Sequence, residues 1–377
     1  MVKKKLAYIT ATPQTYTAFL KSHAVALADE YDITLVANFD GCDTLTGFQE
    51  VSTIQAGIRR KISLVHDLQA LACLTCIYRR QKFDIIHSVT PKAGLLSSIA
   101  GVLARIPNRV HTYTGQVWAT HRGLSRWLLK TLDKITLICA TSALADSHSQ
   151  SAFLKTEGFS KPIRVLGNGA ISGIDTARFH SDDKTRSEER EKYGFDLDDF
   201  VFIFLGRLNR DKGVMDLIAG FERADLAPHC KLLIVGPDEE QLIPEIKKKT
   251  AYKAGRIVIA GSTAQPERAL NAGDVMCLPS YREGFGMSVL EAAAIGLPTI
   301  SSRIYGLTDA VVEGATGIMH EVGNIGEIAK CLALFASDPE DAQRKGEAAR
   351  VRVVHAFSLE KVSGQLKAFY KEVAKAR

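Results

Sequence analysis

The sequence predicts an α/β protein made of two doubly wound domains. Short apolar runs alternate with helical patterns along the whole chain, and these runs show no polar alternation. Such runs are typical of parallel strands that helices cover on both faces. The alternation breaks once, at residues 167–199, and a chain of 377 residues is long for a single core. Two domains are therefore expected.

The first domain is predicted at residues 1–170. Its expected strands lie at residues 6–10, 33–37, 85–89, 110–113, 137–140 and 163–166. The helical patterns between them cover residues 17–29, 64–81, 93–104 and 124–132. Because strand and helix alternate, a doubly wound parallel sheet is expected.

The second domain is predicted at residues 196–357. Residues 171–195 are expected to be a linker, in which a charged run at 182–192 favours a loosely packed helix. The predicted strands follow at residues 200–205, 231–235, 257–260, 275–278, 298–301 and 317–320. Residues 358–377 form the C-terminal segment, and the amphipathic pattern of residues 359–374 predicts a helix there.

Charge and composition restrict the function classes. The net charge is +6, and residues 1–180 carry 21 Lys and Arg against 12 Asp and Glu, so an anionic partner is expected on that half. No nucleic-acid-binding motif is visible, so nucleic acid is not expected as a partner. Apolar runs fall short of the ~20 residues that cross a bilayer. The start Met-Val-Lys-Lys-Lys leads into a strand, so no signal peptide is expected and the protein is placed in the cytoplasm.

The seven cysteines are scattered along the chain. Cys73 and Cys76 have a redox-like spacing, but they stand in a helical apolar stretch without a second pair nearby. Both are interpreted as reduced packing thiols.

The most informative segment is P-S-Y-R-E-G-F-G-M-S-V-L-E-A at residues 279–292. Glu283 and Glu291 bracket a glycine loop that leads into a predicted helix at residues 287–295, and Gly296 would end this helix. Amide groups at a helix N-terminus attract anions. Carboxylates on both sides of such a site fit a ligand with phosphates and hydroxyls, as in a nucleotide sugar. Taken alone, the pattern also fits an ordinary solvated helix.

Two further turns follow strands of the same predicted sheet. Gly206 and Arg207 follow the strand at residues 200–205, and Lys212 stands near the start of the next helix. Two cations at one turn suit a diphosphate, since arginine can bind two oxygens at once. Gly236 ends a later strand at the same edge. Solvated surface cations are the alternative interpretation of this pair.

Together these motifs resemble the retaining family 4 glycosyltransferases of the GT-B fold. The matching order is G-R-L-x-x-x-K-G, then V-G-P, then P-S-x-x-E-G-F-G-x-x-x-L-E-A. Residues 173–179 also resemble that family's interdomain segment. Residues 357–361 resemble the start of its C-terminal helix, which returns to the first domain. The resemblance covers nearly the full length and implies two Rossmann-like domains that face a central cleft.

The resemblance also implies the donor site. Arg207 and Lys212 would hold the donor diphosphate, Glu283 would contact the transferred sugar, and Glu291 would bind the ribose hydroxyls. The backbone of Gly206 and Gly236 and the amides of Phe285, Gly286 and Met287 would approach the donor. The base is expected beside residues 236–238 and 260–263, which include Ser262.

No metal and no resident cofactor are expected, because fixed cations stabilise the leaving group in this family. Asp196 and Asp198 match the D-x-D pattern of metal-dependent transferases, but they precede a strand in the linker-like segment. The match is interpreted as chance.

The acceptor side departs from the family pattern. The segment at residues 10–15 lacks the usual glycines, and Thr12 and Gln14 are the candidate acceptor contacts there. Thr114 stands where relatives carry histidine, and His111 alternates onto another position of that strand. No catalytic base is assigned, and the leaving phosphate could take the acceptor's proton.

Residues 111–122 resemble transferases that extend polyprenyl-diphosphate sugars in surface polysaccharide assembly, and they add Gln116 and Trp118 to the acceptor candidates. In the next helix, Trp127 lies beside a basic stripe, which is typical of a helix on an anionic membrane. The stripe consists of Arg122, Arg126, Lys130 and Lys134. A solvated basic face over a buried apolar one is the alternative.

The expected protein is therefore a retaining transferase, peripheral on the inner face of the cell membrane. It would move a sugar, an N-acetylated hexosamine, from a UDP-sugar to an undecaprenyl-diphosphate-linked saccharide. The alternatives are a soluble transferase for a small acceptor, and a GT-B-fold epimerase or nucleotide-sugar binder. The complete set of donor residues argues against a mere binder.

Overall fold

The computed structural model describes residues 3–40, 48–59 and 63–375. These residues form two compact units, Met1–Gly173 with Leu359–Arg377, and Ile174–Ser358. Each unit contains a parallel sheet, and the predicted α/β class with two doubly wound domains is confirmed. None of the helices in these ranges is both long and apolar enough to cross a membrane.

The first unit alternates strands and helices along the chain. Its strands are β1 Lys4–Ile9, β2 Tyr31–Ala37, β3 Ser52–Gln55, β4 Ile85–Ser88, β5 Asn108–Tyr113, β6 Ser142–Ala145 and β7 Ile163–Arg164. Its helices are α1 Pro13–Phe19, α2 Lys21–Leu27, α3 Leu64–Gln81, α4 Pro91–Leu103, α5 Gly123–Cys139, α6 His148–Thr156 and the C-terminal α16 Leu359–Val373.

Among the described residues, the first sheet has the order β3-β2-β1-β4-β5-β6-β7. Helix α3 packs against α4, and α4 packs against α5, so these three form one layer. Helices α2 and α16 pack together, and Leu366, Phe369 and Tyr370 of α16 join the core that covers β1 and β2. The strand order reverses between β1 and β4, where ligands bind in such sheets.

The second unit repeats this organisation. Its strands are β8 Phe200–Leu205, β9 Cys230–Val235, β10 Ile257–Gly261, β11 Val275–Leu278, β12 Thr299–Ser302 and β13 Gly317–His320. Its helices are α7 Asp183–Tyr193, α8 Val214–Arg223, α9 Ile243–Ile246, α10 Thr250–Lys253, α11 Pro266–Asn271, α12 Met287–Ile295, α13 Leu307–Ala310, α14 Ile325–Ser337 and α15 Pro339–Ala356. In the described part of this unit, the sheet order is β10-β9-β8-β11-β12-β13.

Two predicted elements are wrong. Residues 137–140 do not form a strand, because α5 continues to Cys139 and the strand follows at Ser142–Ala145. A short apolar run does not distinguish a buried helix end from a strand. The helix in the charged run is not loosely packed either. Arg190 of α7 is fully buried, and its Nη2 donates to Asp274 Oδ2 at 2.8 Å.

The two spaced cysteines also differ from their interpretation. Cys73 and Cys76 are exposed on α3, while the packing positions of that helix are Ala70, Leu74 and Tyr78. The apolar character of the stretch suggested burial. The structure shows instead that the apolar residues of α3 occupy both its inner and its outer face.

Candidate active site

The carboxyl ends of four neighbouring strands bring the predicted donor residues to one edge of the second sheet. Strands β10, β9, β8 and β11 lie side by side, and they run parallel. Arg207 follows β8, Gly236 follows β9, exposed Ser262 follows β10, and Glu283 follows β11. This edge is where open parallel sheets bind ligands.

Two glycines allow the loops to approach one another closely. Gly236 has a φ of +145°, and a Cβ atom there would lie 1.8 Å from the carbonyl oxygen of Gly206. Gly286 has a φ of +88°, and its Cβ would lie 2.6 Å from Leu307 Cδ2. Gly236 therefore requires glycine for space as well as for backbone conformation, and Gly286 requires it for its positive φ.

The predicted helix after the glycine loop is confirmed. Gly286 is the residue before α12, and the helix ends at Gly296, which has a φ of +96°. Phe285 is buried with its ring centroid 5.3 Å from that of Phe357, so this ring contact holds the glycine loop against the core. The amide groups of the first turn of α12, which begins at Met287, are thereby held at the sheet edge, where they suit an anion.

Lys212 and Glu283 meet in an ion pair at this edge. The Lys212 ammonium group contacts Glu283 Oε1, and Ser280 Oγ donates to the same oxygen at 2.9 Å. Both charged side chains are largely buried. The loops that carry them are also joined directly, because the amide of Tyr281 donates to the carbonyl of Asp211 at 2.8 Å.

Arg207 is also paired. Its Nη1 donates to both carboxylate oxygens of Glu239, at 2.8 and 2.6 Å. Asn209 Nδ2 donates to the same carboxylate at 2.7 Å. The side chains of Arg207 and Glu239 are both partly exposed, at 44% and 35%. Such an ion pair is worth less than about 1 kcal/mol, so an anionic ligand can displace Glu239.

The side chain of Glu291 on α12 is half-buried and makes no hydrogen bond or ion pair within the described ranges. Burial raises the pKa of Glu291 to about 7, the positive charge of Arg178 acts in the opposite direction, and the carboxylate of Glu267 adds to the increase. A carboxyl group held without a protein partner is suited to a ligand with hydroxyl groups.

In the first unit, Thr12 and Gln14 line a pocket of about 660 Å³ at the carboxyl ends of β1 and β2. The other lining residues are Ala11, Pro13, Asn38, Asp40, Ile58, Arg59, Ser63 and His66. Amide, carboxyl, guanidinium, hydroxyl and imidazole groups together suit a ligand with many hydroxyl groups.

Three other acceptor candidates are buried. Trp118 is 1% exposed, stacks on Phe153 and Phe159, and donates from Nε1 to Asp133 Oδ2 at 2.7 Å. The prediction of an acceptor contact at Trp118 is therefore wrong, because the indole is part of the core. Gln116 is also 1% exposed.

His111 is buried as well, and its Nδ1 lies 2.9 Å from Ser88 Oγ. Burial lowers the pKa of His111 to about 4, so its imidazole is neutral at physiological pH. Thr114 is half-buried and donates from Oγ1 to the carbonyl of Val89 at 3.2 Å. The role of Thr114 stays a prediction.

The basic stripe of α5 differs from its predicted arrangement. Arg126 Nη2 and Lys130 Nζ each lie 2.6 Å from a carboxylate oxygen of Glu157, and both cations lie over the Trp118 ring. Lys134 lies over the Phe159 ring, and of the four cations Arg122 alone belongs to the exposed residues. The stripe is turned inward because one carboxylate and the aromatic core attract it.

The outward face of α5 is apolar instead. Leu124, Trp127 and Leu128 are 77%, 63% and 47% exposed. These three residues are called the α5 ridge below. They occupy the first two turns of the helix.

Sequence reasoning missed three residues of the donor edge. Ser280 donates a hydrogen bond to Glu283, and Asn209 donates one to Glu239. Glu239 in turn forms the ion pair with Arg207. The acidic residues after Gly236 were the available signal for Glu239. Asp196 and Asp198 lie in the turn that precedes β8, at the opposite edge of the sheet. Within the described ranges, no group of three or more His, Cys, Asp or Glu residues could hold a metal ion.

Two family models match the chain. Residues 185–352 match "Glycosyl transferases group 1", and residues 14–169 match "Glycosyl transferase 4-like domain". The match to the first model contains Arg207, Lys212, Glu283 and Glu291, and the match to the second contains Gln14.

Two curated relatives agree with these models, and one solved structure shares the fold. The chain is 31% identical over 317 residues to the capsular polysaccharide biosynthesis glycosyltransferase CapM of Staphylococcus aureus, with 83% of each chain covered. It is 26% identical over 352 residues to the UDP-Gal:alpha-D-GlcNAc-diphosphoundecaprenol alpha-1,3-galactosyltransferase of Escherichia coli, covering 91% of this chain and 89% of the relative. The crystal structure of Anabaena HepE with UDP and glucose has a TM-score of 0.82 at 20% identity, covering 98% of this chain and 100% of HepE.

Proposed function

Because the chain belongs to the group 1 glycosyltransferases, we propose that it transfers a sugar from a UDP-sugar to a saccharide on undecaprenyl diphosphate. The single observation that supports this assignment best is the meeting of Lys212 and Glu283 beside Arg207, at the edge where α12 begins. A cation pair, a carboxylate and a helix N-terminus then face one ligand.

In this proposal Arg207 and Lys212 bind the diphosphate, and Arg207 exchanges Glu239 for phosphate oxygens. The bond between the anomeric carbon and the diphosphate oxygen breaks, and the two cations stabilise the charge on the leaving oxygen. The acceptor hydroxyl forms the new bond on the same face of the sugar and gives its proton to the leaving diphosphate. No metal ion and no protein nucleophile are needed.

The remaining donor contacts follow from position. Glu283 accepts hydrogen bonds from hydroxyls of the transferred sugar, and Glu291 accepts them from the ribose. The amides of Phe285, Gly286 and Met287 contact the sugar and phosphate. Ser262 stands at the end of β10 next to β9, which suits a contact with the base.

The acceptor class rests on the relatives. The E. coli relative is named for a diphosphoundecaprenol-linked acceptor, and the S. aureus relative for capsular polysaccharide. An N-acetylated hexosamine as the transferred sugar is our proposal, as is retention of configuration. The pocket with Thr12 and Gln14 would take the acceptor saccharide.

We also propose that the α5 ridge contacts the cytoplasmic face of the membrane. The basic stripe supports this contact less than its spacing suggested, because Glu157 pairs with both Arg126 and Lys130 and cancels one of their two charges. Tryptophan and leucine at the surface favour the interfacial region of a bilayer without a basic stripe. Arg122 at the start of the ridge adds attraction to anionic lipid.

The test is a panel of nucleotide sugars offered with short-chain lipid-diphosphate-sugar acceptors and read by mass spectrometry. We expect one UDP-sugar to give a product whose rate of formation Glu283→Gln lowers by a factor of about 10²–10³. Glu340→Gln, which removes an exposed carboxylate of α15, should leave that rate unchanged. Transfer only to a water-soluble acceptor, or no transfer with any donor, would overturn the proposal.

A further inference from the structure

Helix α3 exposes an apolar face that no described side chain covers. Leu64, Val65 and Leu68 are 79%, 65% and 67% exposed. Ala72 and Cys76 extend the exposed face towards the C-terminus of the helix. These five residues are called the α3 face below. Isolated exposed apolar side chains are common on proteins, but a continuous group of this kind marks an interaction surface.

The geometry of an α-helix places the α3 face on one side. At about 100° per residue the five residues fall within a sector of roughly 120°, and at 1.5 Å per residue they extend over about 18 Å. The buried positions Ala70, Leu74 and Tyr78 fall in another sector, centred roughly 140° away. Helix α3 is therefore apolar on two opposite sides, and only one of them faces the core.

The charges around the α3 face are basic. Arg59 before the helix and Arg80 near its end are exposed. Asp67 is the acidic residue of the helix. Its side chain is only 18% exposed, and its Oδ1 lies 2.5 Å from Lys92 Nζ. The face thus offers apolar side chains with cations at both ends and no exposed carboxylate in α3, which complements an anionic lipid surface.

The position of the α3 face is also informative. Ser63 and His66 in the first turn of α3 line the same pocket as Thr12 and Gln14, so this turn lies at the carboxyl edge of the first sheet. The α5 ridge occupies the first two turns of α5, close to the end of β5. Since α3, α4 and α5 form one layer, both apolar surfaces lie at the same edge of it.

We propose that the α3 face enters the boundary between headgroups and acyl chains of an anionic bilayer, as a second lipid contact beside the α5 ridge. This inference rests on the proposed lipid-linked acceptor. With both surfaces on lipid, the pocket beside α3 opens near the depth at which the sugar of a lipid-linked acceptor is presented. Leu64, Val65 and Leu68 supply the apolar contact, and Arg59 and Arg80 supply the attraction to anionic headgroups.

The experiment compares the full chain with L64S/V65S/L68S by flotation with vesicles that contain phosphatidylglycerol. We expect at least a tenfold loss of vesicle binding. The matched control is V351S/V354S, which removes side chains of α15 that are 45% and 43% exposed, and its binding should equal that of the unmodified protein. Unchanged binding of L64S/V65S/L68S would overturn the proposal.

Cys76 gives a second measurement that needs no substitution. Bound vesicles should slow its alkylation by a water-soluble maleimide at least fivefold, as read by peptide mass spectrometry, because the thiol lies on the α3 face. Alkylation at the same rate with and without bound vesicles contradicts the lipid contact.

Sedimentation velocity tests whether a second copy of the chain covers the α3 face instead of lipid. If the unmodified protein is a dimer that L64S/V65S/L68S dissociates, and vesicle binding is retained, the α3 face is a contact between copies and the proposal is overturned.

Turnover separates this inference from the proposed function. With a short-chain acceptor that does not require a bilayer, L64S/V65S/L68S should retain the unmodified rate, while its rate on acceptor in vesicles should fall at least tenfold. If L64S/V65S/L68S and the unmodified protein turn over acceptor in vesicles at equal rates, the lipid contact of the α3 face is contradicted and the proposed function is not. If the unmodified protein turns over neither acceptor, the proposed function fails, and the flotation result still decides whether α3 contacts lipid.

Discussion

Lys212 Nζ and Glu283 Oε1 form an ion pair at the carboxyl edge of the second sheet. The family resemblance implied separate contacts for the two side chains, one with the diphosphate and one with the sugar. Their pairing means that each holds the other in place before a donor arrives. Ser280 Oγ donates to the same carboxylate oxygen at 2.9 Å. Substitution of Glu283 therefore also affects the diphosphate contact.

Glu283→Gln should reduce kcat by about 10²–10³, the usual effect of removing one transition-state contact. The amide keeps the shape of the side chain but leaves Lys212 without its counter-charge, so UDP should bind at least as well as before. Steady-state kinetics and calorimetric titration with UDP measure the two effects. A parallel loss of UDP affinity and kcat would contradict the assignment of Glu283 to the sugar.

Glu239→Gln tests the exchange at Arg207. The amide cannot compete with phosphate for the guanidinium group, so the Kd for UDP should fall by a factor of about two to five, as expected from a partly exposed ion pair. Glu240→Gln, which changes the neighbouring carboxylate near the amide of Arg210 at 3.2 Å, is the matched control. Weaker UDP binding in Glu239→Gln would indicate that Glu239 contacts the donor itself.

The pKa of Glu291, raised to about 7 by burial, predicts a pH dependence of donor binding. If the ionised carboxylate accepts hydrogen bonds from the ribose, donor binding lowers this pKa. Below pH 7 the Glu291 carboxyl group is protonated in the free protein, so it must release its proton when the donor binds. The Kd for UDP should then be about tenfold higher at pH 6 than at pH 8. Glu291→Gln should show only the dependence that comes from the phosphates of UDP. A pH dependence that is equal in both proteins would contradict the role of Glu291.

The same pKa has a consequence for stability. The folded-state pKa of Glu291 lies above the usual value near 4.5, so its contribution to stability is present at low pH and is lost as pH rises through about 7. Above pH 7, Glu291→Gln should therefore be more stable than the unmodified protein, and the difference should shrink as pH falls towards 5. Thermal unfolding at several pH values measures this trend.

The donor edge could be predicted from the sequence because each of its parts follows a strand directly. Gly206, Gly236 and Glu283 each come within a few residues of an apolar run, and parallel strands place such positions at one edge. Their pairing could not be predicted, because Glu239 and Ser280 are ordinary polar residues until the neighbouring loops approach. Gly236 shows how close that approach is, since a Cβ atom there would lie 1.8 Å from a neighbouring carbonyl oxygen.

The first unit was harder to interpret, because its important contacts link residues that are distant along the chain. Periodicity placed Arg126 and Lys130 on one stripe of α5, but it could not show that both pair with Glu157 of the following segment. Trp118 follows a strand in the same way as the donor residues do. Its burial depends on Phe153 and Phe159, which lie about 40 residues further along the chain.

The two tryptophans provide a direct test of this division between core and surface. Trp118→Ala removes a fully buried indole together with its stacking contacts and its hydrogen bond to Asp133, so it should destabilise the first unit by about 3–5 kcal/mol. Trp127→Ala removes an indole that is 63% exposed, so stability should change by less than about 0.5 kcal/mol. Vesicle binding should respond in the opposite way: Trp127→Ala should lower it, while the folded fraction of Trp118→Ala should bind as the unmodified protein does. Urea unfolding and vesicle flotation of both variants measure the two effects, and a Trp127→Ala variant that binds vesicles normally would remove the α5 ridge from the membrane contact.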